Sequence, residues 1–499
     1  MPENESPPPL SQARHHFKNA SALVLSGAFA KVLMFLATVV VIKALSVADN
    51  GDFQLAFRYG FILALFTELG VRGYLVRELA RSRADEGAAR RLFGNVLNLR
   101  LLLTPLVLPL AVAVLWAAGY PRHTIVLVIG FFFFAVLDSF AILFKFVLRA
   151  YERMEFDALF SILGRAAILC GVCWFAASRV LNPGTVTASH LGAAAIECVL
   201  LAILIRAMLP MRFLNPVDPQ GIRVTLARSM PFAVLNVVGL LYLSTGTIVL
   251  SRLAGSEAVG YFNTAARLPE ALQFLPIAVV NALIPFLARH HEDLPLVRRY
   301  FSFLIRYLGF FGITFATLFM FETDFVIRAI AKPEYLIAAP AFRWYGLWIL
   351  LVFIQIATAN LLICLNAEKT VMRRFIFSLA LNVLLNIAFV HRWGVIGAAA
   401  ALALTELTSC CLDCVILWRR GVRLPVSAFL EIAAVGAACA APVLFLQGIP
   451  PLLRLAVSAG TTSLAIALIA WVQDREIIRR ILKKSPSTPP ETHLSPPGE

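Results

Sequence analysis

A small set of charged side chains interrupts stretches of this chain that are otherwise apolar. Their chemistry is that of anion recognition. Lys31, Arg58 and Arg267 are the clearest cations, with Arg72, Arg165 and Arg343 beside them; Glu68, Asp138, Glu197, Glu270, Glu406 and Asp413 are the carboxylates. A charge surrounded by hydrocarbon is costly and faces a cavity or a partner. Lys31 sits about eleven residues, roughly 16 Å, from the near end of its apolar stretch, too far for a lysine stem to snorkel easily. If charged, it needs water, an anion or a carboxylate. Guanidinium meets phosphate through paired N–H donors and lysine meets it as a compact charge. A wet chamber displaying Lys31, Arg58 and Arg267 would attract a phosphorylated headgroup. The competing arrangement is internal pairing, Arg72 with Glu68 one turn away and Arg267 with Glu270 three residues on.

Asp138, Arg165, Glu197 and Arg343 form a second tier, as cavity lining or as coupling groups. A desolvated carboxylate can change protonation near neutral pH, which makes Asp138 and Glu197 candidates for proton or cation coupling; pairing with Arg165 is the alternative. Asn236, Ser244, Thr245, Gln273, Asn281, Gln355, Asn360, Asn382 and Asn386 could bond sugar hydroxyls or join helices. Pro231, Pro269, Pro276 and Pro285 can kink the seventh and eighth spans. No catalytic residue, metal site or cofactor motif is expected: there is no Walker A loop, HExxH or GxSxG. Cys170-x-x-Cys173 and Cys411-x-x-Cys414 have redox or zinc spacing but lie in apolar runs without nearby histidines, as packing residues do.

The elements that must position these groups are membrane helices. The chain is 60% hydrophobic and only 15% charged, with a mean hydropathy of +0.81, whereas a soluble domain is about 25% charged. Apolar stretches of about 20 residues recur, and in lipid they must be helical. The sequence divides into an N-terminal tail (1–20), spans 1–6 (21–208), a linker (209–226), spans 7–12 (227–418), spans 13 and 14 (428–473) and a C-terminal tail (474–499). The 74–97 linker suits an amphipathic helix on the membrane surface. Ser485–Glu499, rich in Pro, Ser and Thr, is expected to be disordered. Lys and Arg fall mostly in every second gap, so both termini are expected to be cytoplasmic and the span number even. The net charge of +15 thus reads as topology determinants beside anionic lipid, with no nucleic-acid partner.

The halves echo one another. "ALSVADNGDFQLAFR" (44–58) follows the first span and "RLAGSEAVGYFNTAAR" (252–267) the seventh, matching Gly51 with Gly260, Phe53 with Phe262 and Arg58 with Arg267. "RAYERM" (149–154) pairs with "LNAEKT" (365–370). Six spans separate the copies, which makes a parallel repeat around an axis along the membrane normal, and such repeats enclose a central site. The expectation is an all-α polytopic membrane protein of about 14 transmembrane helices, in two pseudo-symmetric six-helix lobes plus two C-terminal helices.

The block "GAFAKVLMFLATVVVIKALSVADNGDFQLAFRYGFILALFTELGVRGYLVRELAR" (27–81) resembles the opening of the polysaccharide-biosynthesis flippases of the multidrug/oligosaccharidyl-lipid/polysaccharide exporter superfamily, and "RWGVIGAAAALALTE" (392–406) resembles the start of their span 12. The resemblance implies an inverted V of two lobes, alternating access, and an undecaprenyl-diphosphate-linked oligosaccharide moved across the cell inner membrane for O-antigen, capsule or exopolysaccharide synthesis. It implies that Lys31, Arg58 and Arg267 meet the diphosphate. It implies membrane lipids as partners, together with a polysaccharide polymerase and glycosyltransferases. The alternatives are a peptidoglycan-precursor flippase, a cation-coupled multidrug exporter, a membrane-embedded polymerase or ligase, or a passive scaffold for glycosyltransferases. The exporter would want acidic cavity residues, and the polymerase a large outward loop that the short gaps here do not supply.

Overall fold

A computed structural model describes residues 10–71, 75, 78, 86–208, 218–423 and 425–473. Expectations for Arg72, for residues 74, 76, 77 and 79–85 of the 74–97 linker, among them Arg77, Arg81 and Arg83, and for most of the terminal tails fall outside these residues, as do the side chains of Pro231 and Pro285. Every regular element described is helical. The first group is α1 (Leu10–Ala44), α2 (Val47–Glu68), α3 (Glu86–Ala117), α4 (Arg122–Ala150), α5 (Met154–Ala177) and α6 (Pro183–Met208). The second is α7 (Pro219–Leu253), α8 (Gly255–Leu272), α9 (Phe274–Arg289), α10 (Leu294–Phe321), α11 (Thr323–Ile330), the 3-10 turn Pro333–Ala338, α12 (Ala339–Cys364) and α13 (Glu368–Arg419). Then come α14 (Val426–Phe445) and α15 (Pro451–Gln473).

Among the described residues, twelve helical stretches are long and apolar enough to cross a bilayer. One of them, α13, is two helices meeting at Gly394, whose φ of 53° and ψ of −126° turn the chain without a loop. An L-residue is strained there, whereas glycine is not. α2 is also of spanning length, but Asp49, Asp52, Arg58 and Glu68 dilute its hydropathy. The chain is therefore a multi-pass membrane protein with the fourteen-span plan expected from sequence. Leu25, Phe29, Val32 and Leu36 face outward from α1, as a bilayer as solvent allows.

The expected kink in the eighth span is a break between α8 and α9 at Gln273. Pro276 explains its place: lacking an N–H, it cannot bond the carbonyl four residues back, that of Leu272, where α8 ends. The later sequence echo needs a shift of register. The turn after α4 has its positive φ at Glu152 (60°) and the turn after α12 at Asn366 (57°). Glu152 thus matches Asn366, not Glu368, because backbone handedness sets the turn and a shared carboxylate does not.

The earlier echo is realised in space. In the first group α1 packs on α5, α2 on α4, and α6 on α4 and α5; in the second α7 packs on α13, and α12 on α10 and α13. α2 crosses to the second group and lies against α8. A Cβ at Gly51 would stand 1.8 Å from the Ser256 carbonyl oxygen, and one at Gly260 2.3 Å from that of Val47. The shift that takes Gly51 to Gly260 also takes Val47 to Ser256, so the contact is reciprocal, as a two-fold between repeats requires.

Around it runs a polar seal. Asn50 Nδ2 donates to Thr264 Oγ1 and to Tyr335 Oη, both at 3.1 Å. Ser256 Oγ donates to Asp52 Oδ1 at 2.6 Å, and Lys332 Nζ to the Leu45 carbonyl at 2.7 Å. The seal closes the end of the molecule where α1 turns into α2 and α7 into α8. Gly51→Val, or Gly260→Val, should hold this end apart. In a single-cysteine background, labelling of a cysteine at the buried Gln54 by a hydrophilic maleimide should rise severalfold; unchanged labelling would mean that the glycine contact does not close the end.

Candidate substrate cavity

Below the seal, within the first group, lies a cavity of about 430 Å³ lined by Lys31 and Met34 of α1, Phe57 and Phe61 of α2, Lys145 and Arg149 of α4, and Asp157, Ser161 and Arg165 of α5. A smaller neighbouring cavity, about 290 Å³, reaches from Glu68 and Asp138 to Asn236 of α7. Four cations and one carboxylate line the first. Three of the cations are held by acids. Arg165 Nη2 donates to Asp138 Oδ1 at 2.8 Å. Lys145 pairs with Glu197 of α6, and Arg149 with Asp157. Lys31 is different. Its ammonium lies 5.5 Å from the centroid of the Phe274 ring of α9, a cation–π contact across the two groups, and among the described residues no carboxylate pairs with it.

The sequence-derived trio therefore divides. Lys31 lines the cavity, while Arg58 and Arg267 stand at the seal, held by the opposite group. Arg58 Nη2 donates to Glu270 Oε1 of α8 at 2.7 Å, and Arg267 Nη2 to Gln54 Oε1 of α2 at 2.5 Å. Glu270 thus pairs across the groups, not with Arg267 three residues away, because the α2–α8 crossing brings Arg58 closer to it. The Arg267 guanidinium also lies 5.9 Å from the Phe57 ring centroid. Arg343 is exposed near the start of α12 and does not line these cavities.

The second-tier carboxylates are not free either: Asp138 holds Arg165 and Glu197 holds Lys145. Four further cations, Lys145, Arg100, Arg306 and Arg374, are buried. Arg100 donates to the carbonyl and hydroxyl of Ser139 and stacks on Phe140. Arg374 pairs with Asp413 at 3.1 Å and Arg306 with Glu431 of α14 at 2.6 Å. Glu406 accepts from the Tyr242 hydroxyl at 2.7 Å. The available signal was the acids Glu197, Asp413 and Glu431 inside apolar stretches, where a carboxylate needs a cation within reach.

Removing one partner of a buried pair leaves an uncompensated charge, at a cost of about 3–5 kcal/mol, whereas apolar replacement of both is often neutral. Lys145→Met and Glu197→Leu should each lower the thermal unfolding temperature of the purified protein, and the double variant should recover most of the loss. Additive losses would show that the two side chains do not depend on each other.

A family model described as "Polysaccharide biosynthesis protein" matches residues 16–291. No curated protein matches the chain by sequence. Among solved structures, the lipid II flippase MurJ in an inward closed conformation aligns with a TM-score of 0.75 and 15% identity, over 91% of this chain and 99% of that one. An inward-facing multidrug resistance MATE transporter of the MOP superfamily aligns at 0.67 and 15%, over 81% and 95%. The MATE multidrug transporter DinF-BH aligns at 0.59 and 16%, over 81% and 95%. At these identities the likeness is one of fold.

Proposed function

The chain belongs to the polysaccharide biosynthesis protein family, and from that premise we propose that it translocates an undecaprenyl-diphosphate-linked oligosaccharide across the cytoplasmic membrane by alternating access. The observation that carries this reading is the cavity whose charged lining residues are four cations and one carboxylate, and whose Lys31 has no carboxylate partner among the described residues. A diphosphate would neutralise Lys31 and share the guanidinium of Arg165, while the isoprenoid stays in lipid beside α1. Ser161 and Asn236, which line the two cavities, would meet sugar hydroxyls.

The ends of α4, α9 and α13 and the turns after them carry Arg149, Arg153, Arg289, Arg419 and Arg420, and the turn after α13 is tied to the one after α12 where Arg420 donates to the Leu365 carbonyl at 2.6 Å. This basic end lies opposite the seal. By the positive-inside rule it is cytoplasmic, with both termini. The seal is then outward, and the cavity awaits cargo from inside. Arg58 and Arg267 would reach the diphosphate as the seal parts, their hold on Glu270 and Gln54 exchanged for phosphate. Polymer destined for O-antigen, capsule or exopolysaccharide suits such a carrier, which would work beside glycosyltransferases and a polymerase. A cationic drug fits less well, because the cavity carboxylates Asp138 and Asp157 are already engaged by arginines.

Lys31→Gln orphans no carboxylate and is the clean test. A charge-assisted contact is worth about 1.5–3 kcal/mol, tenfold or more in rate if made in the transition state. Proteoliposomes holding the variant should flip a fluorescent undecaprenyl-diphosphate oligosaccharide about tenfold more slowly than the parent, at equal protein content. Parental rates would remove Lys31 from the mechanism; no flipping by the parent of any such lipid would overturn the cargo.

A further inference from the structure

His190 of α6 is 2% exposed and sits deep in the first group. Its Nδ1 is 2.8 Å from the Val186 carbonyl, which can only accept, so Nδ1 carries the hydrogen. The other nitrogen, Nε2, then presents a lone pair, and it is buried without a hydrogen-bond partner. Four phenyl rings surround the imidazole, those of Phe53 and Phe57 from α2 and of Phe131 and Phe134 from α4, with ring-centroid separations of 5.2–6.3 Å. A neutral imidazole leaves its acceptor wasted in this cage. An imidazolium would turn Nε2 into a donor, and its charge, costly while the rings shut out water, would be easier to carry once the cage opens to water.

The cage is joined to the seal. Two of its four rings belong to α2, the helix that closes against α8, and Phe57 lies beneath the Arg267 guanidinium of the opposite group. The charged groups that act on His190 are Arg165 of α5, Arg267 of α8 and Asp138 of α4. Arg165 and Asp138 form an ion pair and largely cancel. Arg267 is left, bonded by the neutral Gln54. A proton on His190 and the charge on Arg267 repel each other while the seal is shut, and parting the seal removes the repulsion. The carboxylates that sequence singled out for coupling, Asp138 and Glu197, are both tied to cations.

We propose that His190 is a proton-binding site whose occupancy favours the state in which α2 and α8 have separated, so that a proton taken up at the sealed end drives or accompanies its opening. The site binds one H⁺ at Nε2 and releases it when α2 returns with Arg267.

The test follows the seal without any substrate, so its failure leaves the proposed cargo untouched. The full chain, with its native cysteines substituted, carries spin labels on cysteines replacing the exposed Arg122 and Glu334, one in each group at the sealed end. Pulsed-EPR distances are measured in lipid nanodiscs from about pH 8 to about pH 5, the range in which an imidazole changes charge. The expected result is a longer distance population that grows as pH falls and that His190→Gln abolishes. If that variant does not accumulate, His190→Phe, which fills the cage with another ring, takes its place. A parent distance that ignores pH overturns the proposal, as does a pH response that survives both His190 variants or disappears only with Glu406→Gln. In parallel, ¹⁵N-histidine spectra of the parent should show the signal that the variant lacks passing from the Nδ1–H tautomer to the doubly protonated form over the same range. A signal that stays neutral throughout overturns it.

Discussion

The cost of an unpaired charge in a low-dielectric interior governs this molecule. Hydrocarbon offers nothing to a guanidinium or a carboxylate, so each buried one has become a link between helices. Asp138–Arg165 joins α4 to α5, Glu197–Lys145 joins α6 to α4, and Arg374–Asp413 joins the two halves of α13. Glu322 with Arg454, and Arg306 with Glu431, fasten α15 and α14 to α10. These pairs hold each group of helices as a unit, which is what a carrier that rocks as rigid bodies needs. They also use up the acids, and so leave the cavity with the cation of Lys31 unanswered.

Between the two groups the contacts are of another kind. The seal is made of small residues, hydroxyls, amides and a pair of arginines, with backbone touching backbone at Gly51 and Gly260. Such an interface is close-packed when shut, and every hydrogen bond in it can be exchanged for water when open. Interiors are fastened by buried ion pairs, whereas the junction is held by hydrogen bonds and the Arg58–Glu270 pair, which leaves a plane of separation between the repeats. Motion is expected along that plane, with α2 and α8 as its moving faces.

Much of this architecture was legible in the chain. The number of spans and the paired repeats around Gly51 and Gly260 follow from local properties: apolar length and a repeated string. The α2–α8 contact is the repeat seen in space. Lys31 was legible as well, because an ammonium so deep in an apolar helix has few options.

What the chain alone left open were the partners of its charges. Lys145 and Arg374 read as helix-end cations until α6 and the second half of α13 brought Glu197 and Asp413 to them. Glu270 read as the neighbour of Arg267 until the helix crossing gave it to Arg58. His190 drew no notice in a run of small and apolar residues, and acquired meaning only when rings from α2 and α4 closed around its free nitrogen. The sequence by itself determined which segments lie in the membrane and that their halves are copies, because burial length and repetition are written along one dimension. Tertiary structure decided which charges are neutralised and which stay available, because that depends on distances of a few ångströms between helices far apart in the chain.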